Sequence, residues 1–194
     1  MMESLVGRGI VLRRVRHLDD DFKLTVLLRD AGKVMAVSKG GQRMASKLKS
    51  VQEPFVEAEF QVFAPPHGVN GRLAGGRLLD SHRALRSNID AFNIACRCCE
   101  VVEMLLPYRA PSPDVYDILR ASLQSLQSMD GPALSPLHQW VLFVVQILHV
   151  LGHGDVSETA RRLLSEAPLE RCVAHVDAEL ERILPYRLKS VTEV

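Results

Sequence analysis

The sequence predicts an α+β protein of two domains, a β-rich domain over residues 1–82 and an all-α domain over residues 83–194. Two observations support this division. Up to His82, short runs of aliphatic and β-branched residues alternate with turn residues, a pattern typical of strands. Beyond His82 the apolar runs lengthen and recur at helical spacing, and serine followed by proline marks two of their beginnings.

Five strands are predicted in the first domain. The connection HLDDD, the turn DAGK with Gly32, and a Pro-Pro-His-Gly segment supply turns, while a long basic segment opens at Gly40 after the third strand. Five short strands with one long basic connection predict a five-stranded OB-type β-barrel. The predicted strands are Arg8–Arg16, Phe22–Asp30, Lys33–Lys39, Val56–Ala64 and Arg72–His82. The core is assigned to Ile10, Leu12, Val26, Leu28, Val37 and Phe60.

Five helices are predicted in the second domain, which makes it an all-α bundle. Proline follows the capping serine at two of the helix starts, and Gly152 is expected to end the third helix. The predicted helices cover about 88–106, 114–128, 137–151, 156–166 and 168–184. The residues assigned as N-caps are Ser87, Ser112, Ser135 and Asp155.

Basic residues concentrate in the first domain. Residues 1–82 carry 13 Lys and Arg against 9 Asp and Glu, net +4, whereas residues 83–194 carry 11 against 14, net −3. The segment Arg29 to Lys49 alone holds six basic residues and one acidic residue. This local field predicts an anionic partner, and a solvated loop without a partner is the alternative.

Lysine and arginine on such a loop neutralise phosphates and release counterions, which gives affinity independent of sequence. Aromatic residues are scarce here, since only Phe22, Phe55, Phe60 and Phe63 fall in the domain. Contacts to a nucleic-acid backbone are therefore expected to dominate over base stacking.

No enzyme site is recognised in the sequence. A G-x-S-x-G elbow is absent, and the glycines of GRLAGG (71–76) are not followed by a helix whose N-terminus would hold a phosphate. Asp19, Asp20 and Asp21 are expected to be solvated rather than to bind a divalent cation.

No metal or cofactor is predicted either. Cys96 and Cys99 form a C-x-x-C, but a structural zinc site needs a second ligand pair. They are assigned instead to an apolar face of the first helix, together with Ile89, Phe92, Val102 and Leu106. His149 and His153 have ligand spacing, but Gly152 is expected to end the helix between them.

The N-terminal residues lack an apolar signal region, and the longest apolar run, Trp140–Val145, is far shorter than the ~20 residues that span a bilayer. A cytoplasmic protein without membrane contact is expected.

The segment VLLRDAGKVMAVSKGGQRMASKLKSVQEPFVEAEFQVF (26–63) resembles the N-terminal barrel of the RecO recombination mediators. The opening Gly9–Leu12 and the closing Leu188–Ser190 are also similar. The residues that carry the resemblance are Gly32, Lys33, Lys39, Gly40, Arg43, Ser46, Lys47, Leu48, Pro54 and Phe55.

The resemblance implies a protein that binds single- and double-stranded DNA, anneals complementary strands, and acts with RecR and the acidic tail of single-stranded-DNA-binding protein to load the RecA recombinase. The DNA-binding positions it implies are Lys33, Lys39, Arg43, Lys47 and Lys49. Many relatives carry a four-cysteine zinc insert after the helix equivalent to Leu148–Leu151, and this chain continues from Gly154 without one. It therefore resembles a compact form of the family.

The alternative function is a protein-interaction adaptor of the repair machinery with little DNA affinity, which the net charge of +1 leaves open. A second hypothesis concerns the helical domain, where an apolar groove would accept an acidic, aromatic-ended peptide. The arginines proposed to rim that groove are Arg109, Arg120, Arg161 and Arg162.

Overall fold

The computed structural model describes residues 2–18, 20–43, 48–128, 135–185 and 188. The chain divides into two compact units. The first comprises Met1–His82 and Leu105–Tyr116, and the second comprises Arg83–Met104 and Asp117–Val194.

In the described part of the first unit the strands are β1 Glu3–His17, β2 Asp21–Leu28, β3 Gly32–Ser38, β4 Glu57–Ala64 and β5 Asn70–Asp80. They form a closed barrel in the order β1-β2-β3-β5-β4. β1 pairs antiparallel with both β2 and β4, and a parallel pairing of β3 with β5 closes the ring. This is a five-stranded Greek-key barrel of OB type, so the fold predicted for this part of the chain is confirmed.

Gly9 marks the point where β1 passes from one neighbour to the other. It pairs with Leu28 of β2 and with Ala58 of β4. A Cβ atom at Gly9 would lie 2.9 Å from Leu28 Cδ2 and 3.0 Å from Phe60 Cδ2, so the close approach of three strands requires glycine. The predicted start of β1 at Arg8 was too late, because the residues before it pair with β4, a partner remote in sequence.

The barrel core contains the buried residues that face inward on each strand. Val26, Leu28 and Phe60 belong to the buried core cluster, as predicted. Ile10 and Leu12 are buried but lie outside that cluster, because β1 contributes Val11, the partner of Val26, in their place. Val37 is not in the core, because β3 turns Val34 and Ala36 inward and leaves Val37 half-buried on the opposite face. The buried cluster consists of Val11, Leu24, Val26, Leu28, Val34, Ala36, Val51, Val56, Ala58, Phe60, Val62 and Leu73.

Residues 105–116 return to the barrel after the first helix. Tyr108 forms an isolated parallel β-bridge with Lys33 near the start of β3, and the Arg109 amide donates to the Lys33 carbonyl at 2.9 Å. The Tyr116 hydroxyl donates to the buried Glu57 carboxylate at 2.8 Å. The predicted domain 83–194 included this segment, whereas the structure groups it with the barrel, through contacts that periodicity does not reveal.

Among the residues that the structure describes, five helices follow the barrel strands, as predicted. They are α1 Ile89–Leu105, α2 Pro113–Gln127, α3 Pro136–Val150, α4 Gly154–Glu166 and α5 Leu169–Ile183. Ser135 caps α3, since its Oγ accepts from the His138 amide, and Gly152 follows the helix end with φ +90°. Asn88 rather than Ser87 caps α1, because Ser87 lies in a 3₁₀ turn, and His153 rather than Asp155 precedes α4. None of the helices in the described ranges is long and apolar enough to cross a membrane.

The buried face of α1 differs from the predicted one. Ile89 is 70% exposed and Cys96 is only half-buried, so neither belongs to the core. Ala91 and Cys98 are among the residues of α1 that are buried instead. The buried residues of α1 are Ala91, Ile94, Ala95, Cys98, Cys99, Val101 and Val102.

We predict that Gly32→Ala destabilises the protein by about 3 kcal/mol, because the residue has φ +75° and an added Cβ would lie 2.3 Å from the Ala110 carbonyl oxygen. Gly7→Ala is the matched control in the same barrel, since a Cβ added there would have no heavy atom within 4 Å. Urea unfolding followed by circular dichroism measures both. Equal free energies of unfolding for the two variants would contradict the packing of residues 105–116 on β3.

Candidate nucleic-acid interface

Three of the predicted DNA-binding residues lie between β3 and β4, in residues 39–43 and 48–52, which we call the basic loop. Lys39, Arg43 and Lys49 are exposed. Lys47 falls outside the described residues. The basic loop therefore presents cations at its beginning and at the 3₁₀ turn Lys49–Val51 near its end.

Lys33 is not presented with the others. Only 4% of it is exposed, and its ammonium lies 4.3 Å from the centroid of the Tyr108 ring. This cation–π contact, together with the bond from the Arg109 amide to the Lys33 carbonyl, attaches residues 105–116 to β3. Lys33 therefore packs within the barrel unit and is not one of the exposed cations of the basic loop.

The beginning of the basic loop is bonded to the β1–β2 hairpin. The Gly40 amide donates to Asp21 Oδ1 at 2.7 Å, and the Gln42 amide donates to the Asp20 carbonyl at 2.8 Å. Arg43 Nε donates to Asp20 Oδ2 at 2.9 Å. The expectation that these acids are merely solvated was wrong for Asp20 and Asp21, because both orient the basic loop, and Asp19 lies outside the described residues.

The end of the basic loop is held by Gln52, which is 1% exposed. Its Nε2 donates to the Gly41 carbonyl at 2.6 Å, and its Oε1 accepts from the Ser38 hydroxyl at 3.0 Å. A Cβ on Gly41 would lie 2.6 Å from that same Oε1, so the second glycine of the Gly-Gly pair is required by close packing. Both ends of the basic loop are thus fixed to the barrel.

Beside the basic loop, the outward side chains of β1, β2, β3 and β5 form a surface that we call the outer face. One row across it joins Val15, Lys23, Val37 and Arg72 by strand register. The adjacent row joins Arg13, Thr25, Met35 and Asn70. Arg13 and Arg72 are exposed, Lys23 is half-buried and Thr25 is buried, so the outer face adds three cations to those of the basic loop.

Sequence reasoning did not assign Lys23 or Arg72 to the site. The signal that could have identified them is the alternation of side chains along a strand. Each residue precedes a core leucine, Leu24 or Leu73, and must therefore face outward.

The sequence also predicted that contacts to the nucleic-acid backbone dominate over base stacking. The Phe22 ring is covered by the Arg14 guanidinium, 4.5 Å from its centroid, and Arg14 is paired with Glu53. Phe22 is therefore not an open stacking platform.

Residues 2–82 match the family model described as Recombination protein O N terminal, and residues 86–154 match the one described as Recombination protein O C terminal. The chain belongs to the RecO family. The matched C-terminal region ends at Gly154, the first residue of α4, so most of α4 and all of α5 lie beyond it.

Curated relatives agree with this assignment. The DNA repair protein RecO of Symbiobacterium thermophilum is 32% identical over 149 residues, which are 74% of this chain and 55% of the relative. The DNA repair protein RecO of Exiguobacterium sibiricum is 28% identical over 151 residues, 78% of this chain and 57% of the relative. The DNA repair protein RecO of Geobacter metallireducens is 28% identical over 152 residues, which are 78% of this chain and 60% of the relative. The chain spans little more than half the length of these RecO proteins.

Three of the four cysteines of this RecO-family chain are packing residues in α1 and α5. Cys98, Cys99 and Cys172 are buried, and burial raises the pKa of the Cys98 and Cys99 thiols well above the ordinary value. Burial, and secondarily Glu100, raises the pKa of Cys96. Within the described ranges, no group of three or more His, Cys, Asp or Glu residues is arranged to hold a metal.

The arginines proposed to rim a peptide groove do not lie in one unit. Arg109 belongs to the barrel unit and is paired with Glu3, so it is not part of the helical unit. Arg161 and Arg162 are exposed on α4, and Arg120 is half-buried on α2. A peptide site on the helical unit of this RecO-family chain stays a prediction, with Arg109 removed from it.

Gln52→Leu should destabilise the barrel by about 2 kcal/mol, because the Gly41 carbonyl and the Ser38 hydroxyl would be buried without their partner. Gln61→Leu is the control, since Gln61 is exposed and its bond to Ser4 Oγ is 3.4 Å long. Urea unfolding and limited proteolysis within the basic loop test the pair. Similar stability and cleavage rates for both variants would show that Gln52 does not hold the loop.

The thiols provide an independent test of the helical core. At pH 8 the raised pKa keeps Cys98 and Cys99 protonated as well as buried, so we expect a thiol-specific disulfide reagent to react with them roughly a hundred-fold more slowly than in urea. The half-buried Cys96 should react first. Rapid reaction of every thiol in the native protein would contradict this burial.

Proposed function

We propose that this RecO-family chain binds the backbone of single- and double-stranded DNA and acts as a recombination mediator in DNA repair. The observation that carries the proposal is the basic loop, which exposes Lys39, Arg43 and Lys49 while hydrogen bonds fix both of its ends to an OB-type barrel. The relatives that match this chain carry the name DNA repair protein RecO, which supports a role in repair.

The chemistry of the surface favours phosphate over base recognition. Each exposed lysine or arginine neutralises a phosphate and releases a counterion, and this contribution is independent of base sequence. Arg43 is oriented by Asp20, so binding DNA exchanges one carboxylate partner for a phosphate. The cations of the outer face, Arg13, Lys23 and Arg72, extend the path that a DNA strand would follow.

Annealing follows from the same charges. Two complementary strands repel each other, and a protein that neutralises phosphates on both lowers this repulsion. Loading of RecA and contacts with RecR and with the acidic tail of single-stranded-DNA-binding protein are further parts of the proposal, taken from the family resemblance. The adaptor function is the alternative, and it requires none of the basic loop's cations.

The test measures the salt dependence of DNA binding. Replacing Lys39 and Lys49 by glutamine should weaken binding to unrelated sequences equally, and each lost contact should lower the magnitude of the slope of log affinity against log salt by roughly 0.7 on single strands. Arg162→Gln, an exposed arginine of α4, is the matched control and should leave the slope unchanged. Strand annealing should fall in parallel with the slope.

Neutral substitution is preferable at Arg43, because Arg43→Glu would place a carboxylate beside Asp20 and disturb the loop itself. If the Lys39→Glu, Arg43→Glu variant remains folded by circular dichroism and binds DNA with the wild-type affinity and salt slope, the basic loop is not the DNA site. The adaptor function would then take precedence.

A further inference from the structure

The tip of the β1–β2 hairpin carries an exposed aliphatic residue. The two strands pair as far as His17 and Asp21, and the Asp21 amide donates to the Leu18 carbonyl at 2.9 Å. Leu18 at this tip is 74% exposed. An exposed leucine is ordinary in isolation, so its surroundings decide whether it has a function.

The segment that carries Leu18 is bonded to the beginning of the basic loop. Asp20 and Asp21 accept three hydrogen bonds of 2.7 to 2.9 Å, from the Gly40 and Gln42 amides and from the Arg43 guanidinium. A polyanion held by Lys39 and Arg43 therefore passes beside the hairpin tip. Because these bonds fix the tip to the basic loop, the position of Leu18 relative to the bound phosphates is set before binding.

The outer face repeats this combination of aliphatic and cationic groups. Val15, three residues before Leu18, is 37% exposed and lies in the row with Lys23, Val37 and Arg72. Aliphatic and cationic side chains alternate along that row across four strands. A ligand that suits it must offer apolar surface as well as negative charge.

We infer that Leu18 contacts the unpaired bases of single-stranded DNA and gives the basic surface a preference for single strands over duplex. This inference rests on the proposed DNA binding. Bases of a single strand can turn their apolar faces towards the protein, whereas in a duplex those faces are stacked inside the helix. The cations hold either form of DNA through its phosphates, whereas Leu18 gains contact area only with single-stranded DNA.

The experiment compares Leu18→Ser with Val6→Ser in the full chain. Val6 is 72% exposed on the half of β1 that pairs with β4, so it matches Leu18 in exposure but not in position. Leu18→Ser should lower affinity for an unstructured single-stranded oligonucleotide about five-fold, the loss expected from removing one partly buried aliphatic contact. Affinity for duplex of the same length and the salt slope on both substrates should not change, because no charge is removed.

A second variant tests the contact directly. Leu18→Trp should bind single strands more tightly, and single-stranded DNA should quench the introduced indole, whose emission differs from that of the fully buried Trp140. Equal losses on single strand and duplex for Leu18→Ser, no loss on either, or an unquenched indole would each overturn the inference. Undetectable binding of the wild-type chain to both substrates would overturn the proposed function itself, which distinguishes the two failures.

Discussion

The barrel unit depends on the sharing of β1 between two neighbours. Because β1 pairs with β4 in its first half and with β2 in its second, the sheet closes on itself and both sides of β1 find partners. Gly9 makes this possible, because the absence of a side chain there lets β2 and β4 approach β1 at the same position. The hairpin that follows β1 then has a defined position, and the basic loop is bonded to that hairpin rather than to solvent.

Buried polar groups in this unit fix connections between segments that are remote in sequence. Gln52 bonds to Ser38 and Gly41, and Glu57 accepts from Tyr116. Each such bond contributes on the order of 1 kcal/mol net to the free energy of unfolding. Removing one partner costs more, because the other polar group then stays buried without a hydrogen bond. The polar residues around the basic loop therefore determine its shape, while its exposed lysines remain available to a ligand.

In the helical unit, one carboxylate joins three helices. Asp177 Oδ1 accepts from Arg97 Nη2 at 2.6 Å and from Trp140 Nε1 at 2.8 Å, and the Arg97 guanidinium lies 4.0 Å from the Trp140 ring centroid. These residues lie on α5, α1 and α3 respectively. A largely buried arginine is tolerated because its charge is paired and its flat face rests on the indole.

The sequence by itself determined the number, type and order of the elements, since strand alternation, serine-proline helix starts and glycine turns are local signals. It also located the basic loop, because Gly40-Gly41 and the surrounding lysines are visible in the chain. Only the tertiary structure decided which cations are exposed. Lys33 and Lys39 are equally basic in sequence, yet Tyr108 from a remote segment covers the first and leaves the second on the surface. The roles of Asp20, Asp21 and Gln52 have the same origin, because exposure and hydrogen bonding depend on partners that only the folded chain brings together.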